Sequence, residues 1–172
     1  MKLKELLIDV EVIESSANME EEIGNISYDS RKTAKTDLFV AIRGFESDGH
    51  EFIAAAAKAG ASVVLCEEKP SVKIPYVLVK NSRVALALVS RNYFGNPASQ
   101  MKLVGVTGTN GKTTTTMLIK HVLEGCTREK VGLIGTNQNM IGEKVVPTER
   151  TTPESYELQK LFREMADEGC KY

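Results

Sequence analysis

The most constraining stretch of the sequence is Leu103-Val104-Gly105-Val106, followed at once by Thr107-Gly108-Thr109-Asn110-Gly111-Lys112-Thr113-Thr114. The first four residues read as a buried strand. Behind the glycines, Met117, Leu118, Val122 and Leu123 mark the apolar side of a helix that Gly125 is expected to stop. Strand, glycine turn, Lys-Thr and helix in that order form the arrangement that grips a nucleoside triphosphate. Gly108 and Gly111 let backbone N–H groups approach phosphate oxygens with no Cβ in the way. The helix turns its positive end toward the same anion. Lys112 is then placed to reach the β- and γ-phosphates and to carry the catalytic charge, and the Thr113 hydroxyl to ligand Mg²⁺. One position departs from the G-x-x-x-x-G-K-[ST] template, which asks for glycine where this chain has Val106. The plain alternative, a glycine turn beside a surface lysine, leaves the order of the parts unexplained. The expected ATP-binding residues are Gly108, Thr109, Asn110, Gly111, Lys112, Thr113 and Thr114.

The rest of the chain alternates strands with helices, which predicts an α/β layer structure. Asp37 to Ile42 reads as a short buried strand. Asp48-Gly49-His50-Glu51 resembles a capping box opening a helix to Gly60, with Phe52, Ile53, Ala56 and Ala57 on one face. Residues 61–65 and 76–79 are β-rich, and 81–94 is helical. The breaker cluster Gly95-Asn96-Pro97-Ala98-Ser99 sets the expected domain boundary, giving domains 1–97 and 98–172. In the second domain, residues 131–134 predict a strand and 137–146 a hairpin around Gly142. A last helix is expected with Thr152 as cap, Pro153 at its first position, a stripe of Leu158, Leu161, Phe162 and Met165, and Gly169 at its end. That domain has about half of the ~150 residues typical of one. The chain is therefore expected to be the front part of a longer protein.

Composition excludes several classes. The 172 residues are 42% hydrophobic and 26% charged, which are ordinary globular values. Twenty-two Lys and Arg against 23 Asp and Glu supply no general attraction to nucleic acid or anionic lipid, so anion binding must be local. No apolar run approaches the ~18 residues of a membrane span, and the charged start does not read as a signal peptide. Cys66, Cys126 and Cys170 have neither zinc spacing nor an even count, which predicts free thiols in a reducing cytosol. His50 and His121 lie in no nucleophile or metal motif. A cytoplasmic monomer with no membrane or nucleic-acid partner is expected.

The loop Thr107-Gly108-Thr109-Asn110-Gly111-Lys112-Thr113 resembles that of the Mur ligase superfamily, ATP-dependent enzymes that join an amino acid to a carboxylate. Folate-polyglutamylating enzymes share a similar loop. Tyr28-Asp29-Ser30-Arg31, residues 37–44 and Asp48-Gly49-His50-Glu51-Phe52 resemble a uridine-nucleotide-binding domain that the folate enzymes lack. It occurs in the two cell-wall ligases that add the third residue or the terminal dipeptide to UDP-N-acetylmuramoyl peptides. Arg150-Thr151-Thr152-Pro153-Glu154 resembles an Asn-Thr-Thr-Pro segment of the third-residue enzymes that contacts the muramoyl-peptide substrate. Arg150 replaces the usual asparagine and is not carried over. The resemblance covers essentially the whole chain. It implies a substrate site of Ser30, Phe45, Glu46, Ser47, Thr151 and Thr152, with UDP-N-acetylmuramoyl dipeptide as substrate and ATP and Mg²⁺ as cofactors.

The same resemblance implies an acyl phosphate formed from ATP and then displaced by an amino group. It also implies that further magnesium ligands, a carbamylated lysine and the amino-acid pocket lie outside these residues. This chain alone is thus expected to be inactive. Two readings stay open: the front of a peptide-bond-forming ligase, of third-residue or dipeptide type, and a non-catalytic nucleotide-sugar-binding module. The choice between diaminopimelate and lysine is expected to be made in the part not represented here.

Overall fold

The computed structural model describes residues 1–44, 47–147 and 153–172. The chain forms two compact units, Met1–Tyr93 and Phe94–Tyr172. The division falls before the breaker cluster rather than after Pro97. The Phe94 ring meets that of Tyr156 tilted at 60°, centroids 5.3 Å apart, and the 3₁₀ turn Pro97–Gln100 packs on the last helix, so both belong to the second unit.

The first unit runs α1 (Leu3–Leu6), β1 (Val12–Ser15), β2 (Ile26–Ser27), β3 (Leu38–Val40), α2 (Ile53–Ala59), β4 (Val63–Cys66), β5 (Tyr76–Val79) and α3 (Ser82–Tyr93). Its sheet has the order β1-β5-β4-β3-β2; β2 to β5 are parallel and β1 pairs antiparallel with β5. Every residue of β3 and β4 is buried, as expected where a parallel sheet is covered on both faces. Phe39, Ala41, Val64 and Cys66 meet Ile53 and Ala56 of α2. Leu38, Val40, Val63 and Leu65 alternate to the opposite face, and α1 packs on α3.

Expectation and structure differ at the start of α2. Asp48 does cap the turn, accepting from the His50 amide at 3.0 Å. The first turn, Gly49–Phe52, is however a 3₁₀ turn, and Phe52 is left exposed while Ile53 and Ala56 go into the core. A 3₁₀ turn advances by three residues, not 3.6, so Phe52 rotates off the inner face.

The second unit holds α4 (Lys112–Thr127), β6 (Gly132–Ile134), β7 (Asn139–Ile141), β8 (Lys144–Val146) and α5 (Ser155–Asp167). β6, β7 and β8 form an antiparallel meander, with Gly142 at a positive φ of 59° in the tight turn. Ile141, Met165 and Cys170 are the centre of its core. Three expectations fail here. Residues 103–106 join no ladder, and Leu103 and Val104 are 55% and 59% exposed. They border a cavity of about 280 Å³ also lined by Leu133, Phe162 and Met165. Lys171 accepts from the Lys102 amide at 2.8 Å and donates to Lys130 at 2.9 Å, and Tyr172 accepts from the Gly132 amide at 2.8 Å, but none of these bonds reaches residues 103–106. A strand needs a neighbour along its whole length, and Leu103–Val106 has none among the described residues.

The helix α4 also runs through Gly125 to an αL cap at Arg128. An interior glycine costs about 1 kcal/mol, too little to end a sixteen-residue helix. Met117, Leu118 and Val122 face outward, while Lys120 is buried, paired with Glu124 at 2.5 Å. Finally, α5 begins at Ser155 with Glu154 as its cap, not at Pro153. Glu154 accepts from the Ser155 amide at 3.2 Å. Thr152 lies outside the described residues.

The three thiols are free. Burial pushes the Cys66 thiol up to about 11 and raises that of Cys170, whereas Cys126 is exposed. Because the thiolate is the reactive form, a disulfide-exchange reagent at mildly alkaline pH should titrate a single fast thiol in the folded chain. Cys126→Ser should remove that phase; fast reaction of Cys66 would contradict the packing of β4.

Candidate functional site

In the second unit the loop 107–111 delivers the chain into α4. Gly111 is the N-cap in the left-handed region, φ 78°, and Gly108 has φ 151°. A side chain at Gly111 would be strained, so glycine is what allows the helix to start directly under the loop. The first N–H groups of α4 have no carbonyl within the helix to bond to. Lys112 turns back over the loop and donates to the carbonyls of Gly108 at 2.6 Å and Thr109 at 3.3 Å. Gly108 to Thr114 are all exposed. Lys112 and Thr113 line a cavity of about 270 Å³ with Thr116, Gly135, Thr136 and Pro153.

The structure thus groups the expected residues 108–114 at one helix start. Gly135 and Thr136 were missed by the sequence reading. No local motif marks them; they reach the loop because β6 ends there, and Gly135 donates to Asn139 Oδ1 at 3.3 Å.

In the first unit, the chain leaves β2 and β3 at the same edge of the sheet, since these strands are parallel neighbours. Carboxyl ends of parallel strands are where open α/β sheets bind ligands. After β2, Asp29-Ser30-Arg31 forms a turn closed by Lys32 N–H donating to the Asp29 carbonyl at 2.9 Å. Arg31 donates from Nε and Nη2 to the Asp29 carboxylate at 2.9 and 2.8 Å. Thr33 ties the turn to β2 through Ser27 at 3.0 Å. Ser30 is half-buried at its tip.

After β3, the loop folds tightly on itself. Gly44 N–H donates to the Ser47 carbonyl at 2.9 Å, and Gly49 N–H to that of Ile42 at 2.8 Å. A Cβ on Gly49 would lie 2.5 Å from the Ile42 oxygen, so only glycine fits. Ser47 is exposed on this loop. Phe45, Glu46, Thr151 and Thr152, also expected as substrate contacts, lie outside the described residues.

The sequence reading also missed a polar clasp beside Ser47. Arg43 Nε lies 3.4 Å from Asp48 and 3.5 Å from Glu67, and Arg43 pairs with Glu68 as well. Glu67 accepts from the Ser82 amide and hydroxyl, both at 2.8 Å, and so caps α3. The His50 amide and imidazole hold the Asp48 carboxyl below its usual range. Asp48-Gly49-His50 was legible as a cap, but nothing in its spacing points to Glu67.

Two Mur ligase family models match: one described as the family's catalytic domain over residues 22–102, and one as the Mur ligase middle domain over 106–172. The chain belongs to the Mur ligase family. It is 49% identical over 177 aligned residues to a Clostridium tetani protein named UDP-N-acetylmuramoyl-L-alanyl-D-glutamate–2,6-diaminopimelate ligase. That alignment covers 100% of this chain and 36% of the relative, so the chain spans about a third of the length of the curated relatives it matches. A solved structure of a ligase of the same name has a TM-score of 0.73 at 25% identity, covering 99% of this chain and 34% of that one. A MurF ligase from Thermotoga maritima, solved in complex with ADP, has a TM-score of 0.54 at 29% identity, covering 81% and 28%. The resemblance read from the motifs is therefore borne out, and so is the α/β class. Among the described residues, no helix is long and apolar enough to cross a membrane.

The Asp29–Arg31 pair makes a pH prediction. The bidentate Arg31 bonds hold the Asp29 carboxyl down at about 2, against an ordinary 3.8. A depressed carboxyl stabilises the fold above its unfolded value, and that contribution fades as pH falls from about 4 toward 2. A carbon-detected NMR titration should show Asp29 taking up its proton last among the resolved aspartates as the pH is lowered. Arg31→Ala should return it toward the ordinary value; an unmoved midpoint would mean the pair does not form in solution.

Proposed function

We propose that this chain supplies the nucleotide-sugar-binding unit and the first part of the ATP-binding unit of a cytoplasmic ligase. That ligase adds the third residue, 2,6-diaminopimelate, to UDP-N-acetylmuramoyl-L-alanyl-D-glutamate for peptidoglycan synthesis. The observation that carries the reading is 49% identity, along the whole of this chain, with a relative named for that reaction. The dipeptide-adding alternative has weaker support, solved structures of that type reaching a TM-score of 0.63 against 0.73.

Gly108 to Thr114 are proposed to hold ATP. A triphosphate suits the glycine-lined start of α4, where free N–H groups converge, and the Lys112 ammonium already seeks oxygen partners there. Lys112 would exchange the loop carbonyls for phosphate oxygens. Thr113 would hold Mg²⁺, which when bound offsets charge on the phosphoryl group. The substrate carboxylate attacks the γ-phosphorus and ADP departs. The incoming amine then displaces phosphate from the acyl phosphate and loses a proton, leaving the amide. Through these steps the chain's own contribution is positioning and charge neutralisation by Lys112.

At the sheet edge of the first unit, Ser30 and Ser47, with Phe45 and Glu46, are proposed to meet the uridine diphosphate. Thr151 and Thr152 are assigned to the muramoyl-peptide on the family resemblance alone.

Calorimetry tests the loop. Lys112→Ala should weaken ATP·Mg²⁺ binding by about 1.5–3 kcal/mol, the worth of a hydrogen bond to a charged group. Equal affinity in the variant would remove the assignment. A mass-spectrometric assay tests the division of labour. With UDP-N-acetylmuramoyl dipeptide, ATP and diaminopimelate, this chain alone should leave the dipeptide unchanged, and tripeptide product would refute its dependence on a further part.

A further inference from the structure

We propose that His50 is a positioning residue for the uridine nucleotide: its imidazole ties the loop after β3 to the carboxyl end of β4 and thereby fixes Ser47. The inference rests on the reading of that edge as the uridine site. Both ring nitrogens are committed. The Glu67 amide N–H donates to Nε2 at 2.9 Å, and Nδ1 lies 2.6 Å from Asp48 Oδ1. An N–H donor can be met only by a lone pair, so the proton sits on Nδ1 and is donated to Asp48. The ring is therefore a neutral imidazole in one tautomer, its side chain 12% exposed.

Four observations separate this role from simple helix capping. Asp48 already caps the turn by accepting from the His50 backbone, so the ring is not needed for that. Its far nitrogen instead reaches the residue that leaves β4, seventeen positions on. The charged groups around the ring are Asp48, Glu67 and Arg43, and Arg43 pairs with both acids, so the clasp closes on itself. The described residues on either side are tied as well: Gly49 N–H donates to the Ile42 carbonyl at 2.8 Å and Gly44 N–H to that of Ser47 at 2.9 Å. A shift of the Asp48–His50 turn must then be passed back to Ser47, one residue away.

The test uses the full 172-residue chain, with UDP as probe, followed by NMR, and thermal unfolding in parallel. The parent should bind with shifts at Ser30 and Ser47. His50→Ala should bind about tenfold more weakly, the worth of roughly one hydrogen bond. His50→Gln, whose amide oxygen can accept from the Glu67 N–H, should recover part of the loss at comparable thermal stability. Should His50→Ala not fold, Asp48→Asn and His50→Gln carry the test, with affinity reduced several-fold in a folded spectrum. Unchanged UDP affinity in the folded variants overturns the proposal. A long-range ¹H–¹⁵N correlation of the parent should show Nδ1 protonated; protonation at Nε2 would overturn the clasp whatever the ligand. A folded parent that does not respond to UDP removes the uridine reading itself, and the proposal falls with it.

Discussion

Everything at the first unit's edge depends on the parallel pairing of β3 with β4, Leu38 to Val63, Phe39 to Val64 and Val40 to Leu65. Parallel strands cannot be joined by a tight turn, so the chain must cross over a face of the sheet and return. The crossover is α2, and its cost is offset by burying both faces of two strands made of Leu, Phe, Val and Cys. The direction shared by β2, β3 and β4 then forces three successive segments out at one edge: the Asp29 turn, the Gly44–Asp48 loop and Glu67. The proposed nucleotide site owes its place to this topology, before any polar side chain is considered.

Legibility in the sequence obeys the same logic. The strands of the first unit carry contiguous β-branched and aromatic residues between breakers, and α3 carries an apolar face, so β4, β5 and α3 appear where expected. The glycine turn into α4 was legible because its glycines and Lys-Thr act locally. Leu103–Val106 has an equally good strand composition and no ladder. Composition states what a segment would gain by pairing, whereas the ladder needs a partner, and the bond from Lys102 to Lys171 stops at the residue just before the segment. The same reasoning covers α4. Met117, Leu118 and Val122 define an apolar side by periodicity, yet the face toward β6 is the one carrying Ile119, Lys120 and Leu123. The His50 contact with Glu67 was illegible for a different reason: it joins residues whose proximity is created only once β3 and β4 are in register.

On the proposed reading, the two candidate sites would bind anions on a chain of net charge −1 in different ways. At the start of α4 the means are a full cation, Lys112, and the unpaired amides of a long helix, which suits the concentrated charge of a triphosphate. At the sheet edge the carboxylates come first, and among the described residues Asp29, Asp48 and Glu67 are already engaged. Asp29 is held by Arg31, Asp48 by His50 and Arg43, and Glu67 by Arg43 and the amide and hydroxyl of Ser82 at the start of α3. Cations that partner acids cannot also attract a ligand strongly, so the edge repels a diphosphate little and draws it little. On the proposed reading, binding there would come from oriented neutral donors such as the Ser30 and Ser47 hydroxyls. Such donors act over hydrogen-bond distances only, and their worth falls steeply with misalignment. A site of this kind therefore needs a rigid frame more than it needs charge, and the glycine contacts and the Arg43–Asp48–His50–Glu67 clasp provide one.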